Sequence, residues 1–271
     1  MALDTGLSLG QIVKAPEINK IFKCSTFGGM NRSIETNSLV LVSNHVKSIY
    51  EDRWIGDVFH YTGMGQEADQ SITKSQNKTL AESGTNGVEV HLFEVDIETE
   101  YRYQGRVVLA GKPYTETQPD KNGVDRQVFV FPLKLLNGEP TPIDESRFKE
   151  TEVIRERKAK RLTDEELKKR AALAPKKAGE RTVTGTQHER NPYVAQLAKR
   201  RANGICMLCK SPAPFTNAKG EPYLETHHIE WMAKGGEDTV ENTVALCPNC
   251  HRRMHVLDDG NDKIKLKKIN F

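Results

Sequence analysis

Two cysteine pairs near the carboxyl end of the chain constrain its fold more than any other feature of the sequence. Cys206/Cys209 and Cys247/Cys250 both have the spacing C-x-x-C. In a reducing compartment such pairs are typical of zinc ligands rather than of disulfides, and two facing knuckles make a closed tetrahedral zinc site. The spacing therefore predicts a small zinc-stabilised domain. The fifth cysteine, Cys24, stands alone, and we expect it to be a small buried apolar residue.

The stretch LCPNCHRRMH holds more potential metal ligands than one tetrahedral site needs. If its two cysteines complete the zinc site, His251 and His255 remain, four residues apart, which places them on one face of a helix. Upstream, His227 and His228 are adjacent, and on a strand they would point to opposite faces. One of that pair could then hold a metal while the other holds a water. The histidines therefore predict a second metal site beside the zinc.

The first half of the chain has the pattern of a β-rich domain. GVEVHLFEVDI, YRYQGRVVLAG and RQVFVFPLKL, at residues 87–97, 101–111 and 126–135, alternate in side-chain character with period two. Turn-forming residues separate them. Several such segments predict a curved sheet or barrel, so the whole chain is expected to be an α+β protein.

A charged segment follows the predicted strands. Residues 146–174 are rich in helix formers, with Thr163 and Glu166 spaced as a capping box. They predict a solvated helical linker, and a helix that also touches DNA backbone is the alternative. Residues 174–187 are expected to be flexible, and a helix is expected from Pro192 to about Gly204. The predicted domains are residues 1–140, a linker over 141–188, and residues 189–271.

Charge and hydropathy exclude some classes of protein. The net charge is only +3, but between residues 145 and 201 basic residues outnumber acidic ones nearly two to one, which suits contact with phosphate. No run approaches the roughly eighteen apolar residues of a membrane helix. The first twenty residues lack the basic and apolar regions of a secretory signal. We therefore expect a cytoplasmic protein without membrane contact.

Taken in order, CMLC, the histidine pair of ETHHIEW, GGEDTVEN and ALCPNCHRRMH resemble the HNH endonuclease motif of the ββα-metal superfamily. The form is the one with a four-cysteine zinc clamp found in McrA-type restriction enzymes. The resemblance covers about residues 191–257. It needs both knuckles, the histidine pair, an asparagine and the trailing histidines in one order, so it is specific. A zinc ribbon used only as a scaffold is the alternative.

This resemblance implies a role for each polar residue. His228 is expected to be the general base that deprotonates the attacking water, a task suited to a neutral imidazole. His227 and His251 are expected to bind a catalytic divalent ion, Mg²⁺, Mn²⁺ or a similar ion, with His255 as a further candidate ligand. The ion would act as Lewis acid on the phosphate. Asn242 is expected to brace the loop between the two strands.

Residues 28–66 resemble the SRA (or YDG) domain, which reads modified cytosine by flipping it out of the duplex. The matching features are a Gly-rich segment with Arg32 and Ser33, the strand SLVLVS, the tripeptide YED and the turn YTGMG. A fainter similarity continues to about Leu135. The expected relatives are SRA-like domains fused to HNH nucleases in modification-dependent restriction enzymes. Arg32, Ser33 and Lys74 are candidates for contact with DNA.

The SRA resemblance also implies a base pocket. Removing a base from its stack costs about a few kcal/mol, which aromatic stacking and hydrogen bonds to the base offset. Tyr50 and Tyr61 match the two stacking aromatics, and Asp52 is the expected acceptor for the cytosine amine. The spacing between the tyrosines is one residue shorter than in the eukaryotic pattern, so Glu51 could take the place of Asp52. Trp54 is an extra aromatic that could line the pocket instead.

Together these features predict a modification-dependent DNA endonuclease. Its substrate would be double-stranded DNA carrying 5-methyl- or 5-hydroxymethylcytosine. Because one HNH site cuts one strand, a homodimer is expected. Two alternatives remain: a non-catalytic reader of modified DNA, and an HNH endonuclease with no requirement for modification.

Overall fold

A computed structural model of the chain describes residues 3–47, 50–174 and 178–269. It has the mixed α+β fold that the sequence predicts and divides into two compact units, residues 1–185 and 186–271. In these described parts of the chain, no helix combines the length and apolar character needed to cross a membrane.

The first unit is built on a nine-stranded sheet. Its strands are β1 (Ile12–Val13), β2 (Met30–Ser33), β3 (Ser38–Asn44), β4 (Arg53–Ile55), β5 (Val58–Thr62), β6 (Glu89–Ile97), β7 (Glu100–Leu109), β8 (Tyr114–Pro119) and β9 (Asp125–Leu135). The order is β2-β3-β6-β7-β9-β5-β4, with β1 added on β7 and β8 added on β9. β3 and β6 run parallel, and the other pairs are antiparallel. The three strands predicted from alternation are confirmed as β6, β7 and β9.

The sheet is strongly curved. Met30 of β2 and Trp54 of β4, at opposite ends of the strand order, belong to one apolar core. The strand β7 bends at Gly105, which has a φ of 113° beside a register shift in its pairing with β6. A bulge of this kind increases the twist and curvature of a sheet. The predicted curved sheet is confirmed, and among residues 3–47 and 50–174 its end strands β2 and β4 are not paired into a closed barrel.

One helix covers the other face of the sheet. Helix α1 (Ala15–Phe22) packs Ile18 and Phe22 against Val40 and Phe93, which explains why β6 is buried on both faces. Cys24 packs against the same cluster and is partly buried, in line with the prediction of a small apolar residue. A second helix, α2 (Ser75–Ala81), lies between β5 and β6 in the chain.

The structure places most of the predicted linker with the first unit. It contains β10 (Ile143–Asp144), α3 (Glu145–Ala159), α4 (Asp164–Leu173) and β11 (Val183–Thr184). β10 pairs with β11, and charged side chains of the helices bind the sheet, as when Arg147 contacts Glu100 at 2.6 Å. The predicted capping box at Thr163 is present. Of the predicted flexible stretch 174–187, residues 175–177 lie outside the described residues.

The second unit contains a hairpin followed by a helix. Its elements are α5 (Pro192–Ala202), β12 (Glu225–His228), a short 3-10 helix (Met232–Lys234), β13 (Thr243–Leu246), α6 (Pro248–Leu257) and α7 (Gly260–Lys267). β12 and β13 are antiparallel, and α6 follows directly, which gives the expected ββα arrangement. Asn191 caps α5 by accepting a hydrogen bond from the Tyr193 amide, so the predicted start of this helix is confirmed.

Candidate functional site

The two cysteine knuckles of the second unit face each other. The Sγ atoms of Cys206, Cys209, Cys247 and Cys250 all lie within 4.8 Å of one another. A backbone hydrogen bond from Ser211 is the main cause that lowers the pKa of the Cys209 thiol to about 6, which favours the thiolate that zinc binds. Four cysteine sulfurs in this arrangement fit a closed tetrahedral zinc site.

Three histidines form a second cluster beside the knuckles. His227 comes from β12, while His251 and His255 lie one turn apart on α6. Their ring nitrogens lie within 4.8 Å of one another, and the Nε2 atoms of His251 and His255 are 3.1 Å apart. The Nε2 atom of His227 is buried and has no hydrogen-bond partner in the described residues. A divalent ion bound by all three nitrogens would supply that missing partner.

The charge state of the cluster suits metal binding. Burial, reinforced by the neighbouring imidazoles of His251 and His255, lowers the pKa of His227 to about 3. This ring is therefore neutral at physiological pH, with a lone pair available. Glu225 contacts Nδ1 of His251, which holds the proton there and leaves Nε2 bare for an ion.

His228 points away from its neighbour and meets a carboxylate. Its Nε2 atom lies 2.9 Å from Oδ1 of Asp238, whose other oxygen accepts a hydrogen bond from the Asn191 amide. Asn242 accepts a hydrogen bond from the Glu230 amide at 2.8 Å and donates to the Glu230 and Glu237 carbonyls. Asn242 thus braces the loop that carries Asp238.

His227, His228, His251 and His255 line one cavity of about 530 Å³. The sequence did not single out several other residues of this site: the carboxylates Glu225 and Asp238, and the lining residues Gln187, His188, Arg190 and Trp231. Two of these left a signal in the sequence. Glu225 is two residues from His227 and so shares its strand face, and Asp238 lies inside the GGEDTVEN stretch.

A second cavity, of about 480 Å³, lies in the first unit. Three of the four predicted pocket residues line it, namely Tyr50, Asp52 and Trp54, together with Glu51. Tyr61 is not one of the residues that line this cavity. Its side chain is 2% exposed within the core, and its hydroxyl donates to the Gly29 carbonyl. Tyr61 and Phe59 are two residues apart on β5, so their side chains lie on the same face of the strand. That face packs into the core.

Asp52 is buried, and its carboxylate already accepts hydrogen bonds within the protein. It accepts hydrogen bonds from the Ser43 hydroxyl and from the Thr62 amide, both at 2.7 Å. Burial raises the pKa of this carboxyl above its ordinary value. Each carboxylate oxygen can accept two hydrogen bonds, so acceptor capacity remains for a ligand.

A buried ion network adjoins the same cavity. Glu94 is fully buried and accepts hydrogen bonds from Arg181 at 2.9 Å and Gln104 at 2.7 Å, while His45 lies 2.8 Å away. Burial alone would raise the pKa of Glu94, but Arg181 and His45 hold it below its ordinary value. Because Arg181 and His45 both line the cavity, this network fixes one of its walls.

The three residues predicted to contact DNA, Arg32, Ser33 and Lys74, have different surroundings. Arg32 donates to the Ser38 carbonyl at 3.1 Å and to Asn37 at 2.6 Å, and Ser33 accepts from the Thr36 amide at 3.3 Å. These hydrogen bonds hold the turn between β2 and β3. Lys74 is exposed at the start of α2.

Two family models match the chain. The model of ScoMcrA-like SRA domains matches residues 9–152, over half of the chain, and the HNH endonuclease model matches residues 206–256. Both matches agree with the resemblances seen in the sequence.

Curated relatives match the chain over a short segment. The type IV methyl-directed restriction enzyme EcoKMcrA of Escherichia coli (strain K12) is 42% identical over 82 residues, which is 30% of this chain and 30% of that protein. Anaredoxin of Nostoc sp. is 27% identical over 71 residues, which is 25% of this chain and 83% of that protein. The chain therefore aligns with less than a third of the restriction enzyme.

Solved structures resemble the chain only distantly. The type IV phosphorothioation-dependent restriction endonuclease ScoMcrA superposes with a TM-score of 0.42 and 18% identity, covering 96% of this chain and 62% of that one. A complex of the SUVH5 SRA domain with methylated CHH DNA gives a TM-score of 0.37 and 23% identity, covering 50% and 92%. Superpositions this distant do not establish a shared function.

Proposed function

The chain belongs to the family of ScoMcrA-like SRA domains and carries an HNH endonuclease domain, and on this basis we propose that it is a modification-dependent DNA endonuclease. Its SRA unit would read a modified cytosine in double-stranded DNA, and its HNH unit would hydrolyse a phosphodiester nearby.

One observation carries the hydrolytic part of the proposal. A single cavity is lined both by three histidines whose nitrogens converge and by a fourth histidine that is held by a carboxylate. A domain that only grips DNA needs neither arrangement. A scaffold zinc ribbon needs only the four cysteines.

The residues of this chain divide the work as follows. Asp238 accepts the Nε2 proton of His228, so the lone pair of His228 is on Nδ1, where it can take a proton from the attacking water. His227, His251 and His255 would hold the divalent ion, and Glu225 would orient His251. When bound, the ion supplies Lewis-acid stabilisation of the phosphate and of the leaving 3′ oxygen. Asn242 keeps the loop of the base in place.

The ligand set also bears on the identity of the ion. Imidazole nitrogen suits transition ions such as Zn²⁺, Fe²⁺ and Ni²⁺, whereas Mg²⁺ and, to a lesser degree, Mn²⁺ prefer oxygen ligands. Of the ions expected from the sequence, Mn²⁺ therefore fits three histidines better than Mg²⁺ does. Zn²⁺ is the ion proposed for the cysteine site.

Glu225→Gln tests the catalytic metal site. Loss of the carboxylate that orients His251 is expected to weaken Mn²⁺ binding by about 10- to 100-fold, as for other partners of metal-binding histidines. Titration of the zinc-loaded protein with Mn²⁺ by calorimetry measures this change. Glu221→Gln is the control, because Glu221 contacts Asn217 on a loop and not a histidine. Equal Mn²⁺ affinity in the two variants would count against the metal site.

The cavity of the first unit supports the reading part of the proposal. A volume of about 480 Å³ lies in the range of small-ligand sites, and Tyr50, Asp52 and Trp54 offer stacking surfaces and an acceptor. The ligand would be a flipped cytosine bearing a 5-methyl or 5-hydroxymethyl group. Glu51 also lines the cavity and stays the alternative acceptor.

Tyr50→Ala tests the base pocket. The loss of one stacking surface, worth about 1–3 kcal/mol, is expected to weaken binding of DNA with modified cytosine by about 5- to 150-fold. Tyr50→Phe keeps the ring and removes the hydroxyl, which donates to the Gly65 carbonyl, so it should bind close to the parent. Fluorescence anisotropy with modified and unmodified duplexes measures both. An equal loss of affinity for the modified and the unmodified duplex would show that Tyr50 does not read the modification.

The function as a whole is tested with matched duplexes carrying cytosine, 5-methylcytosine or 5-hydroxymethylcytosine, across a panel of divalent ions. Cleavage only of a modified duplex supports the proposal. Cleavage of all three would favour the nuclease without modification dependence, and binding without cleavage would favour the non-catalytic reader. The homodimer and the cytoplasmic location stay predictions.

A further inference from the structure

The catalytic cavity has a wall that the HNH family match does not include. Gln187, His188 and Arg190 line it together with the four histidines, yet the family match begins only at residue 206. These residues precede α5, and their position in the cavity is a property of this chain rather than of the motif.

The backbone beside Arg190 is held in place. The amide of Asn191 donates to Asp238, and the side chain of Asn191 caps α5 by accepting from Tyr193 at 3.0 Å. The same Asp238 contacts the general base His228. Arg190 is therefore attached, through one residue, to the group that orients the base.

Arg190 is a cation without an anionic partner. Within residues 178–269 its exposed guanidinium has no hydrogen bond or ion pair, while both carboxylates of the site are taken, Glu225 by His251 and Asp238 by His228. Burial is the largest cause of the lowered pKa values of His227 and His255, and the nearby charge of Arg190 adds to it. The guanidinium of Arg190 thus brings to the cavity a positive charge that neither carboxylate of the site pairs with.

We propose that Arg190 binds the phosphate that is cleaved, through hydrogen bonds from its guanidinium to the non-bridging oxygens. This inference rests on the proposed nuclease function and names a further catalytic residue for it. A guanidinium fits two phosphate oxygens at once, and a phosphodiester supplies the anionic partner that Arg190 lacks.

Arg190 transfers no proton in this scheme. The water oxygen forms a bond to phosphorus while the bond from phosphorus to the 3′ oxygen breaks. The proton of the water goes to His228, and the 3′ oxygen takes its proton from solvent. Charge builds on the non-bridging oxygens in the transition state, so the contact from Arg190 strengthens there and accelerates the reaction rather than only tightening binding.

The test compares Arg190→Ala, Arg190→Lys and a matched control, Arg200→Ala. Arg200 is an exposed cation of the same unit that lines a different cavity, so the control removes equal charge. At saturating DNA with Mn²⁺, Arg190→Ala is expected to lower the single-turnover rate by about 10²- to 10³-fold, as for loss of one donor to a developing oxyanion. Arg190→Lys should recover part of that loss, and Arg200→Ala should cleave near the parent rate.

Three further readouts separate the possible outcomes. Arg190→Ala should keep its zinc and its Mn²⁺ affinity. The slope of the logarithm of the DNA-binding constant against the logarithm of the salt concentration should become smaller in magnitude by about one. Cleavage by Arg190→Ala at the rate of Arg200→Ala, in a parent that cleaves, overturns this inference alone. Loss of zinc or Mn²⁺ from Arg190→Ala overturns it in favour of a structural role. A parent that binds Mn²⁺ but cleaves none of the duplexes overturns the inference and the proposed function together.

Discussion

Replacing His228 with alanine is expected to slow phosphodiester cleavage by about 10²- to 10⁴-fold, the usual contribution of a general base. The reason is the division of labour within one cavity, where His228 contacts Asp238 while the other three imidazoles converge on a common point. Single-turnover cleavage of a modified duplex, with the protein in excess, measures the chemical step directly.

His251→Ala is the matched comparison for this prediction. Both variants lose one imidazole from the same cavity, but only His251 belongs to the converging trio. His228→Ala should therefore keep the Mn²⁺ affinity of the parent, whereas His251→Ala should lose it. If His228→Ala cleaves as fast as the parent, His228 is not the base.

Replacing Cys206 with serine is expected to unfold the second unit. Structural zinc sites contribute apparent binding free energies of about 10–16 kcal/mol, as much as or more than the roughly 5–15 kcal/mol by which whole domains are stable. Cys206 is fully buried, and it lies with Cys247 and Cys250 in the core of this small unit, while Cys209 is exposed. Zinc content, and limited proteolysis of residues 186–271, report the loss.

Cys24→Ser is the control for this second prediction. Cys24 packs beside α1 in the first unit, outside the cysteine cluster, so its replacement should leave the zinc content unchanged. In Cys206→Ser the sheet of the first unit should stay protected from protease, since its core contains none of the four cysteines. A Cys206→Ser protein that retains cleavage and a protected second unit would contradict a structural role for zinc.

The cysteine and histidine clusters were predictable because their geometry is local. C-x-x-C spacing brings two sulfurs together within one turn, and His251 and His255 share a helix face whatever surrounds them. Arg190 and Asp238 were not predictable in this way. They reach the site through contacts between separate segments, Asp238 from a loop and Arg190 from the residues before α5. Such contacts leave no short motif in the sequence.

The two aromatic residues matched to the base pocket show the limits of a motif. Tyr50 lines the cavity, but Tyr61 lies on the face of β5 that packs into the core, beside Phe59. The period of a strand shows which residues share a face, but only tertiary packing decides which face is buried. The helices predicted in the charged segment are present, and Thr151 is their only buried residue. Some of their residues form ion pairs with the sheet, as Lys169 does with Asp125 at 3.1 Å, and the segment up to residue 185 belongs to the first unit.

The hydrogen bond from the Asn191 amide to Asp238 has a practical consequence for protein engineering. A chimeric nuclease that grafts this cutting module onto a foreign targeting domain would lose that tether if the transplanted piece started at Cys206, where the family match begins. The grafted module would keep every residue of the HNH motif. Asp238, whose carboxylate orients His228, would nevertheless lose its hydrogen bond from the Asn191 amide. A functional fusion junction therefore belongs upstream of Gln187.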